Sequence, residues 1–91
     1  MRVQVVYNTH PLRRITRRAG EEIALEEPSD LRSLLGLLES RYGESFAISL
    51  YESKGDRLGT AVLIDGRGAR GLDEPLRNGV TINFIMLAAG G

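Results

Sequence analysis

The sequence predicts an α+β fold, a mixed sheet packed on one main helix in the order β-β-α-β-β-β. Apolar residues alternate near both ends, with Val3, Val5 and Tyr7 at the start and Ile82, Phe84 and Met86 near the finish. That period of two marks strands with one buried face. Between them lies one long stretch of helical spacing, Leu31, Leu34, Leu35, Leu38 and Tyr42, a single apolar stripe at a period of 3.6 residues. One helix cannot cover both faces of a sheet, so a two-layer arrangement follows.

The first strand ends where Asn8, Thr9, His10 and Pro11 break the alternation. A second runs from about Arg18 or Glu21 to Leu25, with Ile23 and Leu25 inward, and pairs with the first as a hairpin with a long basic tip. Pro28-Ser29-Asp30 opens the helix, a polar cap with an acid near the positive end of the dipole. Gly43 stands where a left-handed C-terminal cap belongs. Gly36, inside the helix, either admits a closely packed neighbour or is simply tolerated. Ala47 to Tyr51 reads as a third strand, Ser53 to Arg57 as a loop, and Thr60 to Ile64 as a fourth strand. Asp65-Gly66 then supplies a hairpin turn. Arg67 to Asn78 is irregular, with Pro75 and Leu76 expected in a short helical turn. Asn78-Gly79 is another turn signal, and Val80 to Leu87 forms the last strand. The expected division is a domain over residues 1–87 and a flexible tail over residues 88–91.

Ninety-one residues suffice for one domain, since a second would need roughly 50 of its own. No cysteine is present, so disulfides, thiolate metal sites and a cysteine nucleophile are excluded, as suits a reducing compartment. Twelve basic and twelve acidic side chains cancel, so no net field draws in nucleic acid or an anionic membrane. Apolar runs are too short to span a bilayer, and Met1 to Val5 opens as a strand without the layout of a signal peptide. A cytoplasmic location is the expectation.

Arg13, Arg14, Arg17 and Arg18 cluster in the first hairpin. They read first as a solvated loop balanced by Glu21, Glu22, Glu26 and Glu27, and second as a docking patch for an acidic partner or a phosphate. No aromatic residue interleaves with them, so base stacking is unsupported. His10 is the only histidine, and nothing in the sequence supplies a second metal ligand. Serine and acidic residues occur outside any nucleophile motif, and Asp73 and Glu74 read as turn residues. No catalytic or metal-binding residue is assigned. In the last strand, Ile82, Phe84 and Met86 share the expected core face. Ile85 and Leu87 fall on the other, either partly covered by neighbours or forming an apolar contact surface for partners.

The chain ends in Ala88-Ala89-Gly90-Gly91. Glycine has no Cβ, so two in succession can thread a narrow channel, and five residues beyond Met86 extend at most about 17 Å. A frayed end without function is the plain alternative. The stretch from Leu72 through Pro75-Leu76, Gly79 and the strand Val80 to Phe84, followed by Ala89-Gly90-Gly91, resembles the closing segment of the sulfur-carrier family. That family includes the molybdopterin synthase small subunit, the thiamin-pathway carrier and ubiquitin-related modifiers. Element order extends the resemblance over nearly the whole chain, although only the last twenty residues carry specific motif.

The resemblance implies a β-grasp, or ubiquitin-like, fold with the first and last strands parallel and central. It implies that Gly91 is the working residue, presented by Ala88, Ala89 and Gly90. An adenylyltransferase resembling ubiquitin-activating enzymes would use ATP to convert the Gly91 carboxylate to an acyl-adenylate. A persulfide or sulfide would then displace AMP and leave a thiocarboxylate, with all catalytic groups on partners and no cofactor held stably. The sulfur would go to an acceptor such as the molybdopterin synthase large subunit; thiamin, cysteine or tRNA thiolation pathways are the other destinations. Ile85 and Leu87 would meet these partners. The alternatives are a protein modifier joined through Gly91 to target lysines, and a plain binding module whose tail is idle.

Overall fold

The computed structural model describes residues 1–50 and 60–86. Its strands are β1 (Arg2–Asn8), β2 (Gly20–Ala24), β3 (Thr60–Ile64), β4 (Arg67–Gly68) and β5 (Thr81–Met86), and its helices α1 (His10–Thr16), α2 (Leu31–Tyr42) and α3 (Glu44–Leu50). The strands form one mixed sheet in the order β2-β1-β5-β3-β4. β1 and β5 run parallel, with Val5 opposite Ile82 and Asn8 opposite Ile85; the other pairings are antiparallel. This is the expected α+β architecture, with α2 the one long helix among the described residues.

Alternation along β1 buries Val3, Val5 and Tyr7, and along β5 it buries Ile82 and Phe84. α2 supplies Leu31, Leu34, Leu35 and Leu38 to the same core. The Asp30 carboxylate caps the helix, accepting from the Ser33 amide at 2.9 Å. Gly43 closes it at φ 89°, donating its N–H to Glu39 O at 2.7 Å; its ψ of −171° departs from the left-handed helical region. At Gly36 a Cβ would meet nothing within 4 Å, so this glycine is tolerated and not packed upon. Gly36→Ala is accordingly expected to stabilise the domain by about 1 kcal/mol, measurable as a higher urea midpoint at unchanged slope. Gly20 differs, because a Cβ there would lie 2.6 Å from the Val5 carbonyl oxygen. The approach of β2 to β1 therefore requires glycine.

Five expectations are corrected. Arg67–Gly68, expected in an irregular stretch, forms β4 and pairs with Ile64 and Leu63 across the Asp65-Gly66 turn. Ala47–Leu50 belongs to α3 and not to a strand. Phe46, Ile48 and Leu50 alternate in sequence, but the helix buries Phe46 and Leu50, four residues apart, and leaves Ile48 68% exposed. The tip of the first hairpin is a helix, α1: Thr9 Oγ1 accepts from the Leu12 amide at 3.1 Å, and Pro11 occupies its first turn, where no amide donor is missed. Pro75 is extended rather than helical and bridges to Asp30. The carbonyls of Glu74 and Leu72 take the first free amides of α2, from Leu31 at 3.0 Å and Arg32 at 2.7 Å. The segment serves as a cap for that helix, whose opening N–H groups have no partner within it. Finally, Met86 is 60% exposed, because β5 passes the edge of the core there. The expected loop at Ser53–Arg57 and the end of the last strand at Leu87 lie outside the described residues.

Candidate functional site

The β1–β5 register decides which residues surround the start of the C-terminal tail. β5 occupies the middle of the sheet and delivers the chain at Met86, opposite Thr60 of β3. Ile85 lies between Asn8 and Ala61. Because directly paired residues share a face, Ile85 and Ala61 lie on the side away from the core, and so do Val6 and Leu63, which flank Asn83. All four are half-buried and form an apolar strip on the outer face. Asn8 Nδ2 donates to Asn83 Oδ1 at 2.9 Å within the strip and ties the two parallel strands together near their ends. The remaining candidate residues, Leu87, Ala88, Ala89, Gly90 and Gly91, lie outside the described residues.

The parallel register also brings α1 to this end of the sheet, since α1 begins directly after Asn8. Arg13 is fastened to the end of β1, donating from Nε to Tyr7 O at 2.7 Å and from Nη2 to Asn8 Oδ1 at 2.9 Å. α3 reaches the same end, because Thr60 Oγ1 donates to the Ser49 carbonyl at 2.9 Å. Ile48 and Met86 are the exposed large hydrophobic residues among those described, and both stand here. His10 is exposed in the first turn of α1. Among the described residues no cluster of three or more histidine, cysteine or acidic side chains could hold a metal ion.

One polar cluster escaped sequence reasoning. Glu21 alternates with Ile23 on the inner face of β2, and its side chain is 6% exposed. Its Oε2 accepts from Tyr7 Oη at 2.6 Å and Tyr42 Oη at 2.5 Å, and Oε1 pairs with Arg41 at 3.1 Å and Arg18 at 3.4 Å. Burial raises the Glu21 pKa, but the two phenol hydrogen bonds and then the two guanidinium charges outweigh it, and the net displacement is downward. Tyr7 and Tyr42 are raised, by burial first and by the Glu21 hydrogen bond second. At neutral pH the carboxylate is charged and both phenols are protonated, so the cluster offers no free base. It locks the end of α2 to β2. The parity shared with Ile23 was the available signal.

These directions set the pH dependence of stability. Glu21 contributes its full stabilisation above its free carboxylate value, about 4.3, and loses it as pH falls through the lower folded value. The phenols contribute fully below about 10 and lose it as pH rises toward their higher folded values. Glu21→Gln is expected to cost about 1–3 kcal/mol at neutral pH and to flatten the acid limb of stability against pH. Urea midpoints across the pH range check both effects.

At the opposite end of β5, Glu74 accepts from the Arg67 guanidinium and from the Arg70 amide at 2.8 Å. These hydrogen bonds hold its pKa down to about 2 and shape the loop that caps α2. Glu74 is thus more than a turn residue.

No helix among the described residues is long and apolar enough to cross a membrane. No curated protein matches the chain. Among solved structures it is similar to a putative molybdopterin converting factor subunit 1 from Pyrococcus furiosus, with TM-score 0.77, 23% identity, and 97% of this chain and 99% of that one covered. SAMP1 from Haloferax volcanii aligns with TM-score 0.81 at 14% identity, over 100% of both chains. A complex of subunits 1 and 2 of the molybdopterin-converting factor from Helicobacter pylori gives TM-score 0.63 at 22% identity, again over 100% of both chains. These likenesses establish the ubiquitin-like β-grasp fold. The family match extends over residues 5–91, nearly the whole sequence, and the chain therefore belongs to the ThiS family of β-grasp sulfur carriers.

Proposed function

We propose that the chain carries sulfur as a thiocarboxylate on Gly91 and donates it in cofactor biosynthesis, with molybdopterin the first candidate. Family membership over residues 5–91 is the observation that carries this reading. The likeness to a subunit seen in complex with a second molybdopterin-converting factor subunit supports a partner enzyme that receives the tail. A terminal carboxylate, with a pKa near 3.5, is an anion and a poor electrophile. Its oxygen attacks the α-phosphorus of ATP on an adenylyltransferase, and pyrophosphate leaves. Sulfide then adds to the acyl carbon, AMP leaves, and sulfur replaces one carboxyl oxygen. The domain's contribution is presentation. β5 is held on both sides by β1 and β3, so the tail follows from a strand paired along both edges, while the strip around Ile85 offers partners an apolar contact.

Intact mass tests the reading. After incubation with the adenylyltransferase, ATP and sulfide, the chain should gain the mass difference between sulfur and oxygen. No gain with a competent enzyme would sink it.

A protein-modifier role uses the same adenylate, and the structural likeness to SAMP1, the small archaeal modifier protein 1 of Haloferax volcanii, favours it as the second reading. Lys54 is the only lysine and hence the only side-chain site for self-linkage. Conjugates that form on other proteins and survive thiol reductant would select this reading.

A further inference from the structure

The glutamates expected to balance the arginine cluster do so at one position only. Arg18 pairs with Glu21, whereas Glu22 is engaged by Arg2 at 3.0 Å. Arg13 donates to a backbone carbonyl and an asparagine, neither of which offsets its charge. The guanidinium groups of Arg14 and Arg17 have no hydrogen-bond or ion-pair partner among the described residues, and both side chains are exposed. Among the described residues, a chain of zero net charge thus concentrates positive charge without ion-pair partners on α1 and its cap. The β1–β5 register places that charge at the end of the sheet where the tail begins. Beside it, Pro11, Arg14, His10 and the half-buried Ile15 line an open groove of about 390 Å³.

We propose that the outer face of α1, with Arg14, Arg17 and the Pro11–Ile15 groove, is the electrostatic docking surface for the adenylating enzyme, and that it meets an acidic surface beside that enzyme's tail channel. The assignment rests on the carrier reading. The adenylating enzyme fits better than a sulfur acceptor, because adenylation requires the Gly91 carboxylate to approach a bound triphosphate. Positive charge at the tail root offsets the repulsion between these anions and steers the encounter. RNA fits less well, since no aromatic side chain is interspersed with the arginines to stack on bases.

The test is adenylation kinetics with the full chain as the varied substrate. Arg14→Glu with Arg17→Glu is expected to lower kcat/KM roughly ten-fold or more, within the range that steering supplies, through KM with kcat unchanged. It should also flatten the dependence of kcat/KM on salt. A milder pair, Arg14→Gln with Arg17→Gly, protects the test against misfolding. Arg17 already sits at φ 59°, where glycine is at ease, and this pair should lie between wild type and the reversal. Unchanged KM and salt dependence, in a preparation where removing Gly91 abolishes adenylation, would overturn the docking surface and leave the carrier reading standing. So would a defect confined to sulfur transfer or to RNA binding. If the wild-type chain is not adenylated at all, the carrier reading fails and takes this assignment with it.

Discussion

Phe84→Ala is expected to cost about 3–5 kcal/mol, a large part of the roughly 5–15 kcal/mol that a typical domain possesses. Phe84 is fully buried at the centre of the central strand. Its ring stacks on Tyr7 at 5.9 Å and meets Phe46 edge-on at 6.2 Å, and Phe46 in turn meets Tyr7 edge-on at 6.2 Å. Truncation would remove contacts from β1 and α3 together and leave a void between elements that sheet pairing prevents from closing. A small domain has little surplus apolar burial to offset that loss. Ile85→Asp is the control: the side chain is half-buried on the outer face, so the fold should survive while binding to the adenylating enzyme weakens. Urea unfolding of both variants, with the slope unchanged, checks the pair. If Ile85→Asp unfolds the domain and Phe84→Ala does not, the two faces of β5 are reversed.

That contrast is readable from the sequence because a strand's period of two assigns faces without knowledge of its neighbours. Val5, Tyr7, Ile82 and Phe84 all lie where alternation puts them. So does the α2 stripe, whose twelve residues repeat long enough to exclude a strand. Short elements carry no such margin. α3 has seven residues, and Phe46, Ile48 and Leu50 satisfy a strand pattern as well as a helical one; burial of Phe46 against Tyr7 and Phe84 decides between them. α1, also seven residues, is rich in arginine and buries only Leu12 and Thr16, too little for a visible stripe. Its Thr9 cap and Pro11 are legible signals of a helix start, but the same two residues also mark the end of a strand.

Met86 shows the limit of parity. Alternation states which way a side chain points, not whether core remains beneath it, and at the end of β5 none does. Long-range placement is harder still. The closeness of α1 to the tail root depends on the parallel pairing of Asn8 with Ile85, separated by most of the chain. Given that pairing, the chain leaving β1 must stand beside the chain leaving β5, because parallel strands end on the same side of a sheet. The balance of charge misled for the same reason, since Arg14 and Glu26 are near in sequence but form no ion pair.

Deleting Gly91 is expected to abolish charging altogether while leaving the unfolding curve of the domain unchanged. Among the described residues the buried cluster runs from Val3 to Phe84 and draws on both ends of the sheet. A terminal glycine has no side chain to add to such a core, whereas the proposed chemistry depends on it entirely. Truncation would leave Gly90 with a carboxylate of the same charge and pKa range. Loss of function would then report reach, the reacting carbon being displaced by about 3.5 Å. A displacement of that size is ample, since misplacing reacting groups by about 1 Å can cost a hundred-fold in rate. Gly90→Val separates reach from width. It keeps the chain length and the terminal carboxylate but adds a β-branched side chain that restricts the backbone and fills a narrow channel. It should impair adenylation through kcat, with little change in binding through α1 or the outer face of β5. Lys54→Arg should leave thiocarboxylate formation untouched, because that reaction uses no lysine of the carrier. Intact mass after incubation with the adenylating enzyme, ATP and sulfide reads all three variants at once. If the truncated chain gains sulfur as fully as the intact one, the carboxylate of Gly91 is not the working group and the tail requires another explanation.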